Sequence, residues 1–253
     1  MSNSLLWLPT TIPPTLAENE LHVWRASLDV CSAAYDRMER FLSGDERERA
    51  AKFKVPGAHR RYVAARGILR ELLSGYLKLE ATEIDLHYGP QGKPFLSPAH
   101  SSDISFNASH SNGVGLFAIA RSGEIGADVE QVKVNFKGME IASRFFSESE
   151  VEELAGLPPK EAEEAFFSGW TKKEAYVKAH GMGLGMPLRS FAVRFNEDEQ
   201  SLRDMEGKTW SCYAVRPAAG YVGAIVAQGE EWTLKYCEWP TEADTSGTSE
   251  LVD

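Results

Sequence analysis

Gly126-Ala127-Asp128-Val129-Glu130, followed about forty residues later by Trp170-Thr171-Lys172-Lys173-Glu174-Ala175-Tyr176-Val177-Lys178, decides how this chain is read. In the first stretch Ile125, Ala127 and Val129 alternate with Gly126, Asp128 and Glu130, the period of a half-buried strand. Residues i and i+2 share one side of a strand, so Asp128 and Glu130 project together, with Cα atoms about 6.7 Å apart at ~3.3 Å of rise per residue. The second stretch reads as a helix, which puts Glu174 and Lys178 at i and i+4 on one face. Strand and helix together bring three carboxylates beside two lysines, Lys173 and Lys178. Hard oxygen donors of this kind suit Mg²⁺, and lysines suit the phosphates that such an ion bridges. Each half also has an ordinary reading: acids on the outer face of a strand are commonly just solvated, and a Glu-to-Lys pair on a helix surface contributes about 0.3–0.5 kcal/mol.

Working outward, the chain echoes itself. Phe41-Leu42-Ser43 returns as Phe145-Phe146-Ser147, each ahead of an acidic run that reads as a helix start. Arg61-Tyr62-Val63-Ala64-Ala65-Arg66-Gly67-Ile68-Leu69 and Phe166-Phe167-Ser168-Gly169-Trp170-Thr171 fall in long helical patterns at matching places. Asn112–Ala120 is echoed by Ala219–Ala227. Three echoes in the same order, roughly 104–107 residues apart, predict a duplicated α/β unit. The expected fold class is α/β (α+β), with two pseudo-symmetric subdomains and a boundary near Gln131–Gly138. The N-terminal half then spans 1–131 and the C-terminal half 132–240. Residues 241–253, rich in Thr, Ser, Glu and Asp, read as a disordered tail. Residues 1–20, with Pro9, Pro13 and Pro14, read as an extended lead-in. On this division the first half supplies Asp128 and Glu130, the second supplies Glu174 and Lys178, and the cleft between the halves is the expected ligand site.

Composition sets limits on function. The 253 residues are 43% hydrophobic, enough for one large core or two modest ones, and carry a net charge of −10. Such a charge argues against nucleic acid as a partner, since phosphate contacts need a basic surface. Cys31, Cys212 and Cys237 are odd in number and lack metal-ligand spacing, which predicts free thiols in a reducing, cytoplasmic setting. The N-terminus has neither the basic nor the apolar region of a signal peptide, and no apolar run is long enough to span a membrane.

Further stretches carry chemical readings beside plain ones. Lys93 in Gly92-Lys93-Pro94 sits on a tight turn and could be merely solvated. Ser109-His110-Ser111 invites a hydrolase reading, yet no Gly-x-Ser-x-Gly elbow is present and adjacent Ser and His do not define a triad. Gly181-Met182-Gly183-Leu184-Gly185-Met186-Pro187 follows a helix instead of joining strand to helix, so it reads as a C-terminal cap and turn, not a dinucleotide loop. No P-loop occurs. Phe166, Phe167, Trp170 and Val177 lie at helical spacing and read as core. A basic run, Arg47, Arg49, Lys52, Lys54, His59, Arg60 and Arg61, leads into the first long helix and could form a cationic lip for a phosphorylated ligand.

The order Gly-Lys-Pro, Asn107-x-Ser109-His110-Ser111, Gly126-x-Asp128-x-Glu130 and Trp170-x-x-Lys173-Glu174-Ala175-x-x-Lys178 resembles the 4′-phosphopantetheinyl transferases of the large, two-half, Sfp-like class. The resemblance runs from about Phe41 to about Leu188. It implies a pseudo-dimer with coenzyme A in the interface. It implies Lys93 on the phosphates of coenzyme A, Ser109 and His110 at its 3′-phosphate end, and Arg49, with Arg61 nearby, as basic contacts there. Glu46 falls where some relatives carry a lysine, and Ala127 where a larger apolar residue is usual.

The implied reaction moves the 4′-phosphopantetheine arm to a serine of an apo acyl or peptidyl carrier protein and releases adenosine 3′,5′-bisphosphate. Asp128, Glu130 and Glu174 would hold Mg²⁺ (Mn²⁺ as an alternative). Lys178, helped by Lys173, would offset the pyrophosphate charge, and Glu174 is the candidate base, directly or through water. Carrier proteins are themselves acidic, so docking on this acidic chain needs a local basic or apolar patch. The duplication makes a monomer the expected state. Two readings stay open beside this one: a non-catalytic module that binds coenzyme A or a carrier protein, and a different Mg²⁺-dependent phosphotransferase.

Overall fold

A computed structural model describes residues 6–134 and 136–240. The tail expected to be disordered, 241–253, and the first five residues of the lead-in lie outside the described residues. The rest of the lead-in holds no helix, only the two-residue strand β1 (Leu8–Pro9). Then come β2 (Glu20–Ser27), α1 (Ser32–Phe41), α2 (Gly44–Ala51), α3 (Pro56–Leu77), β3 (Leu86–Tyr88), β4 (Pro94–Leu96), β5 (Ile104–Ser111) and β6 (Val114–Arg121). The chain continues through β7 (Ile125–Gln131), α4 (Gly138–Phe145), α5 (Glu148–Ala155), α6 (Pro159–His180), β8 (Glu199–Arg203), β9 (Thr209–Val215), β10 (Tyr221–Gln228) and β11 (Thr233–Glu238).

Each repeat element forms for the same local reason as its counterpart. α2 and α5 both start with a capping box: the Ser43 N–H donates to the Glu46 carboxylate at 3.0 Å, and the Ser147 N–H to Glu150 at 2.8 Å. α3 and α6 are each 22 residues long and each carries a proline at its first position, where the missing N–H is no loss.

Two larger sheets, ordered β1-β11-β2-β6-β5 and β7-β10-β9-β8, face each other across an apolar layer that includes Leu21, Val23, Leu116, Ala118, Ala127, Val129, Ile225 and Ala227. Against the outer face of the first sheet α3 packs Ile68, Leu69 and Leu72 onto Trp24, Phe117 and Ile119. On the second, α6 packs Ala175, Tyr176 and Ala179 onto Ala224 and Val226. Both faces of each sheet are therefore covered, which accounts for the run of buried residues along β6 and β10.

Topology moves the division between the halves. The acidic strand β7, expected to end the first half, is hydrogen-bonded to β10 in the second sheet, and the C-terminal β11 lies parallel to β2 in the first. The sheets thus part between β6 and β7, before the Gln131–Gly138 boundary read from the sequence. Because β2-β6-β5 and β7-β10-β9 repeat one pattern, register pairs make Trp24 (opposite Phe117) the counterpart of Asp128 (opposite Ala224). Trp24 is fully buried and donates to the Tyr76 hydroxyl at 2.9 Å, and Pro13 fills the space beside Gly75. The acidic chemistry therefore stands on one side of the pseudo-dimer only.

Candidate active site

β7 and α6 make the centre of the site because of one small residue. A Cβ placed on Gly126 would lie 2.0 Å from the Ala175 carbonyl oxygen and 2.5 Å from the Ala179 nitrogen. The helix backbone thus rests directly on the strand, on the face that carries Asp128 and Glu130. The acids are not on a solvated outer face: Asp128 is 5% exposed. Its Oδ1 accepts from the Lys178 Nζ at 2.5 Å and from the Ser109 hydroxyl at 2.9 Å. Its Oδ2 is buried without a hydrogen-bond partner. Glu130 accepts from the Ser111 hydroxyl at 2.9 Å.

In front of this pair opens a cavity of about 670 Å³ between the two long helices, a size suited to a small-molecule ligand. Tyr62, Ala65, Arg66 and Leu69 line it from α3, and Trp170, Glu174, Val177 and Lys178 from α6. Arg49, Lys93, Ser109 and His110 complete the polar wall, and Phe145, Met186, Pro187 and Leu188 an apolar one. Lys93 ties its turn to the second half: its Nζ donates to the Ala179 carbonyl at 2.9 Å and to Glu124 at 3.0 Å.

Charge crowding shows in the protonation equilibria. Burial, reinforced by the Asp128 charge, holds the Glu174 carboxyl above the usual glutamate range, against the pull of Lys178. Glu130 is likewise raised, by burial first and by Asp128 second, with the Ser111 bond opposing. The His110 side chain is open to solvent on one side, yet partial desolvation in the cleft, then the Lys178, Arg49 and Arg66 cations, keeps its imidazole below the ordinary value. At neutral pH it is therefore an uncharged donor beside cations.

Among the described residues no three of His, Cys, Asp and Glu converge closely enough to hold a metal ion; the Lys178 ammonium stands against Asp128 instead. The donor chemistry nonetheless fits a divalent cation on two observations. Asp128 offers a buried oxygen that nothing satisfies, and the negative charges of Asp128, Glu130 and Glu174 act on one another.

Four of the residues singled out from the sequence are not among those that line this cleft: Lys173, Arg61, Asp128 and Glu130. Lys173, expected as a helper on the phosphates, is fully buried and bonds to Glu150 at 2.8 Å and to the carbonyls of Leu188 and Phe191 at 2.8 and 2.6 Å. All three of its protons point into the protein, because 100° per residue turns position 173 to the far side of α6 from 174 and 178. Arg61 is not among the cleft-lining residues and pairs with Asp29 at 2.8 Å. Asp128, held by Lys178 and Ser109, and Glu130, held by Ser111, stand outside the lining.

Conversely, Arg66, Tyr88 and Phe145 line the cleft without having been read as site residues, as does Asn107, which was quoted in its motif without a role. The i, i+3, i+4, i+7 spacing of Tyr62, Ala65, Arg66 and Leu69 was a readable signal. Trp170 and Val177, read as core, and the glycine turn from Gly181 also prove to be cleft wall.

Comparison with known proteins agrees with this geometry. Residues 124–227 match the family model of the 4′-phosphopantetheinyl transferase superfamily, and residues 24–121 that of the 4′-phosphopantetheinyl transferase N-terminal domain. The two matches meet at the β6–β7 junction. The chain is 35% identical to the 4′-phosphopantetheinyl transferase HetI of Nostoc sp., over 91% of this chain and 97% of that protein. It is 31% identical to the transferase Sfp of Bacillus subtilis, over 70% of this chain and 77% of that one. To the transferase ffp of Bacillus subtilis it is 31% identical, over 76% and 84%.

Proposed function

The chain belongs to the 4′-phosphopantetheinyl transferase family, and from that premise we propose how its cleft moves the 4′-phosphopantetheine arm of coenzyme A onto a serine of an acyl or peptidyl carrier protein. The chain is a transferase of that activity; the residue roles, the cation and the second product are our reading. The observation that carries it is Asp128, buried, bound by Lys178 on one oxygen and unpartnered on the other.

Asp128, Glu130 and Glu174 would hold Mg²⁺, or Mn²⁺, which when bound supplies positive charge against the two phosphates. Lys178 Nζ, already at the mouth of the acidic pair, meets the pyrophosphate and offsets charge on the departing adenosine 3′,5′-bisphosphate. Arg49, Arg66 and Lys93 present further cations along the same wall. Neutral His110 offers a donor to the 3′-phosphate end; Ser109, expected there too, gives its one proton to Asp128 Oδ1 in this structure.

The attacking serine hydroxyl must lose its proton as its oxygen bonds to the β-phosphorus and the bond to the bridging oxygen breaks. Glu174 accepts that proton, directly or through water, and its raised proton affinity brings it nearer the range in which a general base works. Closing of β5 against β7 within one chain supports a monomer. No disulfide joins any of the three cysteines, which supports a reducing compartment, and no described helix is long and apolar enough to cross a membrane.

The test is the intact mass of an apo carrier protein incubated with this chain, coenzyme A and Mg²⁺. A gain of one phosphopantetheine arm, lost in Glu174→Gln and in Asp128→Ala, is the expected result. Coenzyme A binding with no mass gain on any carrier would overturn the catalytic reading in favour of a binding module.

A further inference from the structure

The two sheets meet at the edges of β5 and β7, and side chains of β5 make the bonds there. Asn107 Oδ1 accepts from the Ala127 N–H at 2.9 Å, and Ser109 donates to Asp128 Oδ1 at 2.9 Å. Ser111 donates to Glu130 Oε2 at 2.9 Å, and the Gln131 N–H donates to the Ser111 oxygen at 3.2 Å. Asn107, Ser109 and Ser111 alternate along β5, so all three project to the same side. Two of the three end on the carboxylates that the proposed reaction needs.

Within Ser109-His110-Ser111, Ser111 is the member to which the reading above gives no task. We propose that Ser111 is a positioning residue for Glu130, aiming its carboxylate for capture of the divalent cation; this rests on the reading of Asp128, Glu130 and Glu174 as the cation's donors. A serine hydroxyl has one proton and rotates freely unless its oxygen is held. Here the Gln131 N–H holds the oxygen, and the proton falls on Glu130 Oε2. The same group thus fixes the backbone one residue beyond Glu130 and one of its carboxylate oxygens, leaving the other oxygen to turn elsewhere.

Glu130 has more need of this than Asp128. Asp128 is gripped by both Lys178 and Ser109 on a short side chain, whereas Glu130 has an extra rotatable bond whose freedom must be lost before it can ligate. Groups that orient a ligating carboxylate commonly change metal affinity by about 10–100-fold when removed. A hydroxyl at 111 is therefore expected to act on cation affinity and not on carrier recognition.

The experiment compares Ser111→Val with Ser111→Thr. Both are β-branched residues suited to a strand and differ only in the hydroxyl. Binding of Mn²⁺ is read directly from the electron paramagnetic resonance of the free ion, without coenzyme A or carrier. Asn112→Gly serves as the control, since it deletes the 2.6 Å bond from Asn112 to Gln131 at the same seam without touching a carboxylate, at a position with φ of 47°.

Ser111→Val is expected to weaken Mn²⁺ binding about tenfold or more and to raise the Mg²⁺ concentration for half-maximal transfer in parallel, with KM for the carrier unchanged. Ser111→Thr and Asn112→Gly should stay within about threefold of the unaltered protein, well short of the second-sphere effect. Equal Mn²⁺ affinity in the Val and Thr variants overturns the positioning role while leaving the cation reading intact. Mn²⁺ binding that is absent in the unaltered protein, or that survives Asp128→Ala, overturns the cation reading and the positioning role with it.

Discussion

Lys173 and Glu150 form an ion pair at 2.8 Å in the protein interior, both side chains nearly inaccessible to water. Arg70 and Glu46 do the same in the first half, at 2.7 Å. In each case a long-helix cation grips the capping-box glutamate of the preceding helix. It spends its remaining protons on carbonyls of the segment that follows: Leu188 and Phe191 for Lys173, Ala81 and Ile84 for Arg70. The pairs are structural staples duplicated with the fold, and Glu46, which departs from the lysine of some relatives, belongs to one of them.

Lys173→Ala should therefore cost stability and leave coenzyme A recognition alone. Removing one partner of a buried pair destabilises by about 3–5 kcal/mol, because the other charge is left unpaired. Chemical denaturation should show a loss of that order, while KM for coenzyme A in the folded protein stays within about twofold. A large rise in KM with unchanged stability would return Lys173 to the phosphate site.

Gly126→Ala should push α6 away from β7. The added carbon meets helix backbone, which cannot rotate aside, so the cost should reach the upper end of the roughly 1–3 kcal/mol typical of overpacking. Since Glu174 and Lys178 ride on that helix, transfer should fall further than stability does. Denaturation midpoints and single-turnover rates measured together check this, and unchanged activity would refute it.

Glu130→Gln should stabilise the metal-free protein at pH 7 while abolishing transfer. The folded-state affinity of Glu130 for its proton is raised, so the folded form binds more protons than the unfolded one between the ordinary glutamate range and the raised value. Stability then falls as pH climbs through that window, and the loss is complete above it. Glutamine removes the loss. The melting temperature of the variant should exceed that of the unaltered protein at pH 7 in a chelator, and the difference should vanish below about pH 4, under the usual glutamate value.

Mg²⁺ should have to compete with the Glu174 proton, because burial and the Asp128 charge raise that carboxyl's proton affinity in the metal-free protein. The Mg²⁺ concentration for half-maximal transfer should therefore begin to climb on acidification above the ordinary glutamate range, and the climb should move or flatten in Glu174→Asp and stay in place in Lys173→Arg. An identical climb in Glu174→Asp and the unaltered protein would argue against Glu174 as a donor to the cation.

The sequence by itself determined the repeat and the chemistry of the donors. Proline starts, serine caps with glutamate at the third position, and strand alternation are local rules, so α2, α5, α3, α6 and β7 could be read from neighbouring residues alone. Asp128, Glu130, Glu174 and Lys178 were legible because i, i+2 and i, i+4 spacings fix a shared face wherever the element lies. Tertiary structure decided the rest, since it depends on which surfaces meet. Hydrogen bonding carried β7 into the second sheet, where Gly126 admits α6 onto the acidic face. Helix rotation about its axis sent Lys173 inward to Glu150 and Lys178 outward to Asp128, although the two cations stand five residues apart on one helix. The side-chain seam of Asn107, Ser109 and Ser111 exists only because two sheet edges come within a hydrogen bond of each other, a distance that no local spacing in the chain encodes.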